Sequence, residues 1–128
     1  GLDIEGHVVG FKAGEKQTVT NLIKAILINS GNDAAQILAN SHPHGAEAFV
    51  AEMNQLAADL GMTQTHFANP AGLDDPQQMT SAYDLSLLAR QVLKDPFLAK
   101  LVQTEATEIT DLSGKINHEL NNCIILLK

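Results

Sequence analysis

The chain has 128 residues, of which 45% are hydrophobic and 18% charged, and this composition fits one globular domain with a core of ordinary size. Fifteen acidic residues against eight basic ones leave a formal net charge of -7 without a Lys/Arg cluster, so nucleic acid is not an expected partner. The single cysteine, Cys123, excludes an internal disulfide and a Cys-based zinc cluster.

The first part of the chain predicts an extended segment and two helices. Within residues 1–17, Gly6, Gly10 and Gly14 favour a short hairpin or an extended segment. A first helix is predicted after Thr18, a suitable N-cap, because apolar residues from Val19 to Leu27 recur at helical spacing. Residues 34–40 predict a second helix that is almost wholly apolar and is therefore expected at the centre of the fold.

A third helix is predicted after the loop 41–45 and is expected to end at Gly61. Its inward stripe comprises Phe49, Met53, Leu56, Ala57 and Leu60. Beyond it, Asn69-Pro70-Ala71-Gly72 favours a turn inside a loop that reaches to about residue 80.

The last part of the chain predicts two further helices and a hairpin. Ser81-Ala82-Tyr83-Asp84 is a capping-box pattern that begins a fourth helix, and Asp95-Pro96 begins a short fifth one. Ser113-Gly114 is the expected turn between two loosely alternating stretches. The residues predicted to face inward on the fourth helix are Leu85, Leu88, Ala89 and Val92. The expected class is mainly α, a single domain over residues 1–128 with about five helices and possible short hairpins at the ends.

Ser30-Gly31-Asn32, at the junction of the first two predicted helices, is the candidate functional site. A glycine there allows a sharp bend that exposes short polar side chains on either side. A hydroxyl donates and accepts at once, so it can pass a proton between a lysine and a leaving amine. A carboxamide can bind a substrate amide without bringing charge.

A purely structural role for Ser30 is the alternative. Ser30-x-x-Asp33 is itself a capping box, in which the serine hydroxyl would accept from the Asp33 backbone N–H. On this hypothesis Ser30 only begins the second helix, and Asp33 only complements the helix dipole.

Residues 22–35, with the sequence LIKAILINSGNDAA, closely resemble the Ser-x-Asn region of the serine D-alanyl-D-alanine carboxypeptidases, the low-molecular-mass penicillin-binding proteins. The resemblance continues in the same order through residues 48–54, 60–74 and 80–85, and it covers about residues 11–102. Enzymes of this group combine Ser-x-x-Lys, Ser-x-Asn and Lys-Thr-Gly elements around one cleft.

The resemblance implies the helical subdomain of the penicillin-binding protein and β-lactamase-like transpeptidase fold. It implies catalytic roles for Ser30 and Asn32, substrate binding by Asn32 and Gly31, and neither cofactor nor metal. The parent protein would be a cell-envelope enzyme that trims the terminal D-alanine from peptidoglycan stem peptides through an acyl-enzyme, and it would be acylated by β-lactams.

Two of the three family elements are missing from this sequence. No serine has a lysine three residues later, and Lys12-Ala13-Gly14, which precedes Ser30, is interpreted as a turn. We therefore expect the chain to be inactive alone and to be cut from a longer protein, with the nucleophile and Lys-Thr-Gly on a sheet domain outside it. Apolar surface around the first two helices and the Ile124–Leu127 tail is expected to be exposed and to favour self-association.

Two other hypotheses stay open. The chain could be a non-catalytic helical interaction module on the same scaffold, with Ser30 as a cap. His42-x-His44 with Glu47 nearby is the best candidate for a metal site, although loop histidines at this spacing are weak evidence. Neither a leader pattern nor a membrane-spanning apolar run is visible in the sequence.

Overall fold

The structure, a computed structural model, describes residues 8–122 and is mainly helical. Within this part, five helices precede one antiparallel pair of strands, so the predicted class and the C-terminal hairpin are confirmed. The helices are α1 (Val19–Asn29), α2 (Asn32–Asn40), α3 (Ala46–Asp59), α4 (Ala82–Lys94) and α5 (Pro96–Val102), and the strands are β1 (Ala106–Thr110) and β2 (Asn117–Asn121). Cys123 and the Ile124–Leu127 tail lie outside the described residues.

The segment of residues 8–17 contains neither helix nor strand, so the prediction of a non-helical segment is confirmed there, without a hairpin; residues 1–7 lie outside the described residues. Lys12-Ala13-Gly14 is the predicted turn. The Glu15 N–H donates to the Lys12 carbonyl at 3.1 Å, and Gly14 has a φ of 80°.

Three helices begin with the predicted capping chemistry. The Thr18 hydroxyl accepts from the Asn21 N–H at 3.1 Å at the start of α1. The Ser81 hydroxyl accepts from the Asp84 N–H at the same distance at the start of α4, and the Asp95 carboxylate caps α5. Each cap binds backbone N–H groups that have no partner inside the helix.

Helix α1 lies at the centre of the fold. It contacts α2, α5 and both strands, whereas α2 contacts mainly α1 and α3. The expectation that the second helix is central is therefore wrong, because α5 and the hairpin pack on α1 instead. The buried core comprises Leu22, Ala25, Ile28, Ala34, Leu101, Ile109 and Leu120.

Buried polar groups hold the long loop between α3 and α4. The Asn54 side chain donates to the Phe67 carbonyl at 2.9 Å and accepts from the Phe67 N–H at 2.7 Å, as a neighbouring strand would. The Asp84 carboxylate, on a residue that is 2% exposed, accepts from the Gln64 N–H and the Thr65 hydroxyl. The loop is thus fixed to the helices on both sides of it.

Helices α3 and α4 bury less of their apolar stripes than predicted. Leu56 and Leu85, both predicted to face inward, are 54% and 49% exposed, and Ala89 is exposed as well. The helix that contacts α4 most is α5, so only Leu88 and Val92 of its predicted stripe are half-buried.

Exposed large apolar side chains therefore lie mainly away from α1 and α2. Of those in residues 8–122, only Val19 belongs to either helix, whereas five further large apolar residues of the two helices are half-buried: Ile23, Ile26, Leu27, Ile37 and Leu38. The expected exposed apolar surface around these helices and the Ile124–Leu127 tail stays a prediction. The exposed group comprises Val8, Val19, Leu56, Met79, Tyr83, Leu85, Leu93, Phe97 and Leu112. None of the helices in the described residues combines the length and hydropathy that a membrane span requires.

The Glu15 carboxylate joins the N-terminal segment to the hairpin. It accepts from the Lys12 N–H at 2.9 Å and from the Gln17 side-chain amide at 2.6 Å. It also lies 2.7 Å from Nε2 of His118 on β2. Burial opposes ionisation of this carboxyl, but the hydrogen bonds outweigh that effect, so the pKa of Glu15 lies below its ordinary value of 4.5.

Replacing Glu15 by Gln is expected to lower the free energy of unfolding at neutral pH by about 1 to 3 kcal/mol, because a buried ionised acceptor is lost. Since the folded pKa of Glu15 is depressed, the stability it contributes is present above the unfolded value of 4.5 and is lost as the pH falls through the folded one. Urea titrations from about pH 7 to pH 3 measure both effects.

The matched control is Glu119→Gln, an exposed carboxylate next to His118 on β2. It should change the free energy of unfolding by less than about 0.5 kcal/mol. An E15Q chain that keeps the wild-type pH profile contradicts the prediction.

Candidate functional site

Ser30 follows the last residue of α1 in a left-handed backbone conformation. Its φ and ψ are 52° and 39°, and its N–H points to the Ala25 carbonyl. Every other residue with positive φ within residues 8–122 is a glycine. Such a conformation costs a non-glycine residue about 1 to 3 kcal/mol, persists only where the surroundings enforce it, and is concentrated at functional sites.

Gly31 occupies a position too narrow for a side chain. A Cβ here would lie 3.0 Å from Val9 Cγ2 and 3.2 Å from the Ala25 carbonyl oxygen, which also accepts from the Gly31 N–H at 3.0 Å. The φ of Gly31, -69°, is one that any residue adopts. The prediction that this glycine makes the sharp bend is therefore wrong in detail: Ser30 makes the bend, and Gly31 permits the close approach.

Helix α2 begins at Asn32, and none of the described residues supplies a side-chain cap at its N-cap, Gly31. The capping box in which the Ser30 hydroxyl accepts from the Asp33 N–H is therefore not formed. Ser30 and Asn32 are both half-buried and lie on either side of buried Gly31. The structure thus brings the three predicted residues together at one helix junction.

The Asp33 carboxylate holds the N-terminal segment against this junction. Asp33 is 7% exposed, and its oxygens accept from the Val9 N–H at 3.0 and 3.1 Å and from the Gly10 N–H at 2.9 Å. They also accept from the Ala34 N–H at 2.9 Å. The helix-dipole interpretation of Asp33 missed the bonds to Val9 and Gly10. These two residues lie more than twenty positions away in the chain, so no local sequence pattern indicates them.

A hydrogen bond also connects the β1–β2 hairpin to the junction between α1 and α2. The side-chain oxygen of Asn29, the last residue of α1, accepts from the backbone N–H of Asn121 on β2 at 3.0 Å. The residue before Ser30 is therefore tied to the strand furthest from it in sequence. The hydrogen bonds of Asp33 and of Asn29 therefore both fix the backbone that carries the Ser30 and Asn32 side chains.

The histidines of the loop after α2 form a small cluster of their own. His42 Nε2 lies 3.1 Å from a carboxylate oxygen of Glu52, and its Nδ1 accepts from the His44 N–H at 3.0 Å. The acidic partner is thus Glu52 and not the predicted Glu47. Across residues 8–122, no three His, Cys, Asp or Glu side chains lie together as a metal site requires.

The sequence profile of the D-alanyl-D-alanine carboxypeptidases, peptidase family S11, matches residues 3–128. The chain belongs to this family. Its curated relatives include the D-alanyl-D-alanine carboxypeptidases DacF of Bacillus subtilis and DacB2 of Mycobacterium tuberculosis, which are 37% and 39% identical over 99 residues. These matches cover 77% and 76% of this chain but only 25% and 34% of the relatives.

Solved structures of carboxypeptidases and transpeptidases share the fold. A D-alanyl-D-alanine carboxypeptidase from Mycobacterium tuberculosis superposes with a TM-score of 0.87 at 34% identity, over 98% of this chain and 47% of that one. A Streptomyces DD-transpeptidase gives a TM-score of 0.87 at 26% identity, over 96% of this chain and 51% of its own. The family and the fold that the Ser-x-Asn region implied are confirmed.

Replacing Gly31 by Ala is expected to lower the free energy of unfolding by about 1 to 3 kcal/mol, because the new methyl meets Val9 and a backbone oxygen at short range. Shortening Val9 should relieve one of the two contacts. We therefore expect the double variant V9A/G31A to lose less stability than the sum of V9A and G31A.

Urea unfolding of the wild type, both single variants and the double variant measures this coupling as a double-mutant cycle. Strictly additive losses would show that Val9 does not limit the space at Gly31.

Proposed function

We propose that the protein containing this chain is a serine-type D-alanyl-D-alanine carboxypeptidase, and that residues 1–128 form its helical subdomain. The chain supplies the wall of the active site that carries the Ser-x-Asn element. The observation that supports this best is the left-handed Ser30, whose hydroxyl is not used to cap α2. A serine kept in a costly conformation without a capping role is typical of a functional site.

In this proposal a serine outside the chain, activated by a lysine, attacks the carbonyl of the terminal D-Ala-D-Ala peptide bond. The Ser30 hydroxyl accepts a proton from that lysine as it donates its own to the nitrogen of the departing D-alanine. Water then hydrolyses the acyl-enzyme and regenerates the nucleophile. The relay suits a hydroxyl, because this group donates and accepts simultaneously.

Asn32 binds the substrate in the same proposal. Its carboxamide can donate to a peptide carbonyl and accept from a peptide N–H, so it can align an extended stem peptide without adding charge. Gly31 contributes through its small size. It fits close to Val9 and the Ala25 carbonyl, in the narrow turn that connects Ser30 and Asn32.

The chain spans about a quarter to a third of the length of the curated relatives and about half of the two solved chains. We infer that a sheet domain outside these residues supplies the nucleophile and Lys-Thr-Gly, and that this chain is inactive alone. The proposed substrates are peptidoglycan stem peptides in the cell envelope, with β-lactams as acylating inhibitors and with no cofactor or metal. Self-association of the isolated chain through exposed apolar surface is part of the same proposal.

A fluorescent penicillin is expected to label the full protein covalently but not the 128-residue chain, because the acylated serine is absent from it. Gel fluorescence after denaturation measures the label. Unlabelled full protein would count against the carboxypeptidase proposal, and a labelled 128-residue chain would show that its own residues include a nucleophile.

Ser30→Gly in the full protein separates catalysis from structure. Glycine adopts the left-handed conformation freely, so the free energy of unfolding should stay the same or rise by up to about 1 kcal/mol. The loss of the hydroxyl should nevertheless lower kcat/KM for a D-Ala-D-Ala peptide at least about 100-fold. Ser30→Ala should lower it equally, and Ser86→Ala, on the exposed side of α4, is the control with unchanged turnover.

Turnover and urea unfolding are measured on the same preparations. Wild-type kcat/KM in both Ser30 variants would reject the catalytic role of the Ser30 hydroxyl.

A further inference from the structure

Asp33 connects the α1–α2 junction to the segment around Val9. Within residues 8–122, its two oxygens accept three hydrogen bonds from the Val9 and Gly10 backbone N–H groups. The same short segment places Val9 Cγ2 3.0 Å from the position where a Gly31 Cβ would be. The carboxylate therefore helps to keep Val9 packed beside Gly31.

The contact between Val9 and Gly31 limits how the junction can relax. Ser30 and Gly31 both direct their N–H groups to the Ala25 carbonyl, and both that oxygen and Val9 lie close to the position of a Gly31 Cβ. If the segment around Val9 lifts away, this confinement ends, and the strain at Ser30 favours a return to an ordinary backbone conformation. A change in the φ and ψ of Ser30 displaces both the Ser30 hydroxyl and the Asn32 carboxamide.

We propose that Asp33 is a positioning residue for the Ser-x-Asn wall, which holds Ser30 in its left-handed conformation by docking the backbone of Val9 and Gly10 on the junction. This inference rests on the proposed function for its effect on turnover, but its effect on backbone geometry is independent of it. Asp33 acts through Ser30 and Asn32 and does not contact the substrate.

Asp33→Asn in the full protein tests the proposal. The side-chain NH2 of asparagine replaces an oxygen that accepts from the Val9 and Gly10 N–H groups. An N–H donor then faces these two N–H donors, and their hydrogen bonds are lost. Hydrogen exchange of the peptide containing Val9 and Gly10 should accelerate about 10- to 100-fold. The value of kcat should fall about 10- to 100-fold, with a smaller change in KM, because misplaced catalytic groups act mainly on the chemical step.

Asp84→Asn is the matched control, because Asp84 is a buried carboxylate that also accepts from a backbone N–H but lies on α4, outside the junction. It should lower Tm while leaving kcat within about twofold at a temperature where the protein is folded. If D33N fails to fold, Asp33→Ser replaces it. A serine is too short to reach Val9 and Gly10, but its hydroxyl can still serve the first turn of α2.

A crystal structure of the Asp33 variant completes the test. A changed φ at Ser30 together with faster exchange at Val9 and Gly10 supports positioning, and a left-handed Ser30 with wild-type kcat overturns it. Equal losses of kcat in D33N and D84N also overturn it, because they indicate a general effect of stability. If S30G and S30A keep full turnover, the catalytic role proposed for Ser30 fails, while the geometry of Ser30 in the Asp33 variant still decides the positioning role.

Discussion

The packing of Val9 against Gly31 sets the geometry of the junction between α1 and α2. A Val9 methyl group and the Ala25 carbonyl oxygen leave little space beside Gly31, and the left-handed residue of the turn is Ser30. A left-handed serine is the result, and it costs about 1 to 3 kcal/mol that the surrounding contacts offset. The candidate site is therefore a product of packing at one glycine, although the residues of interest are its two polar neighbours.

Carboxylates repeatedly join segments without regular structure to the rest of the fold in this acidic chain. Asp33 binds the N-terminal segment, Asp84 the long loop, and Glu15 the hairpin through His118. Asp111 shapes the hairpin turn, and the hydrogen bond from the Ser113 hydroxyl, with that from the Ile116 N–H, lowers its pKa. Part of the net charge of -7 is thus structural and ionised in the folded state. Stability should decline as acid protonates those carboxyls whose pKa values are lowered.

Local patterns in the sequence predicted local structure well and tertiary contacts poorly. The caps at Thr18, Ser81 and Asp95 and the hairpin turn at Gly114 depend on a few neighbouring residues, and all are confirmed. The central position of α1 and the exposure of Leu85 depend on which elements pack together. The spacing of apolar residues along the sequence does not give that information. The candidate site was identified through its Ser-x-Asn motif. Whether Ser30 caps α2 depends on the geometry of the turn, which the motif does not contain, and Asp33 lacked any local signal.

The tie between Asn29 and Asn121 has a consequence for the order of folding. Its two ends are 92 residues apart, and the Asp33 bonds span 23 and 24 residues, so the junction is assembled from contacts of very different chain separation. Closing the longest of these loops carries the greatest entropic cost and slows the step that needs it. Helix α1 can form early from its own residues, but its last turn reaches native geometry only when the hairpin has docked. Ribosomal synthesis would therefore expose α1 and α2 well before the residue that completes their junction emerges.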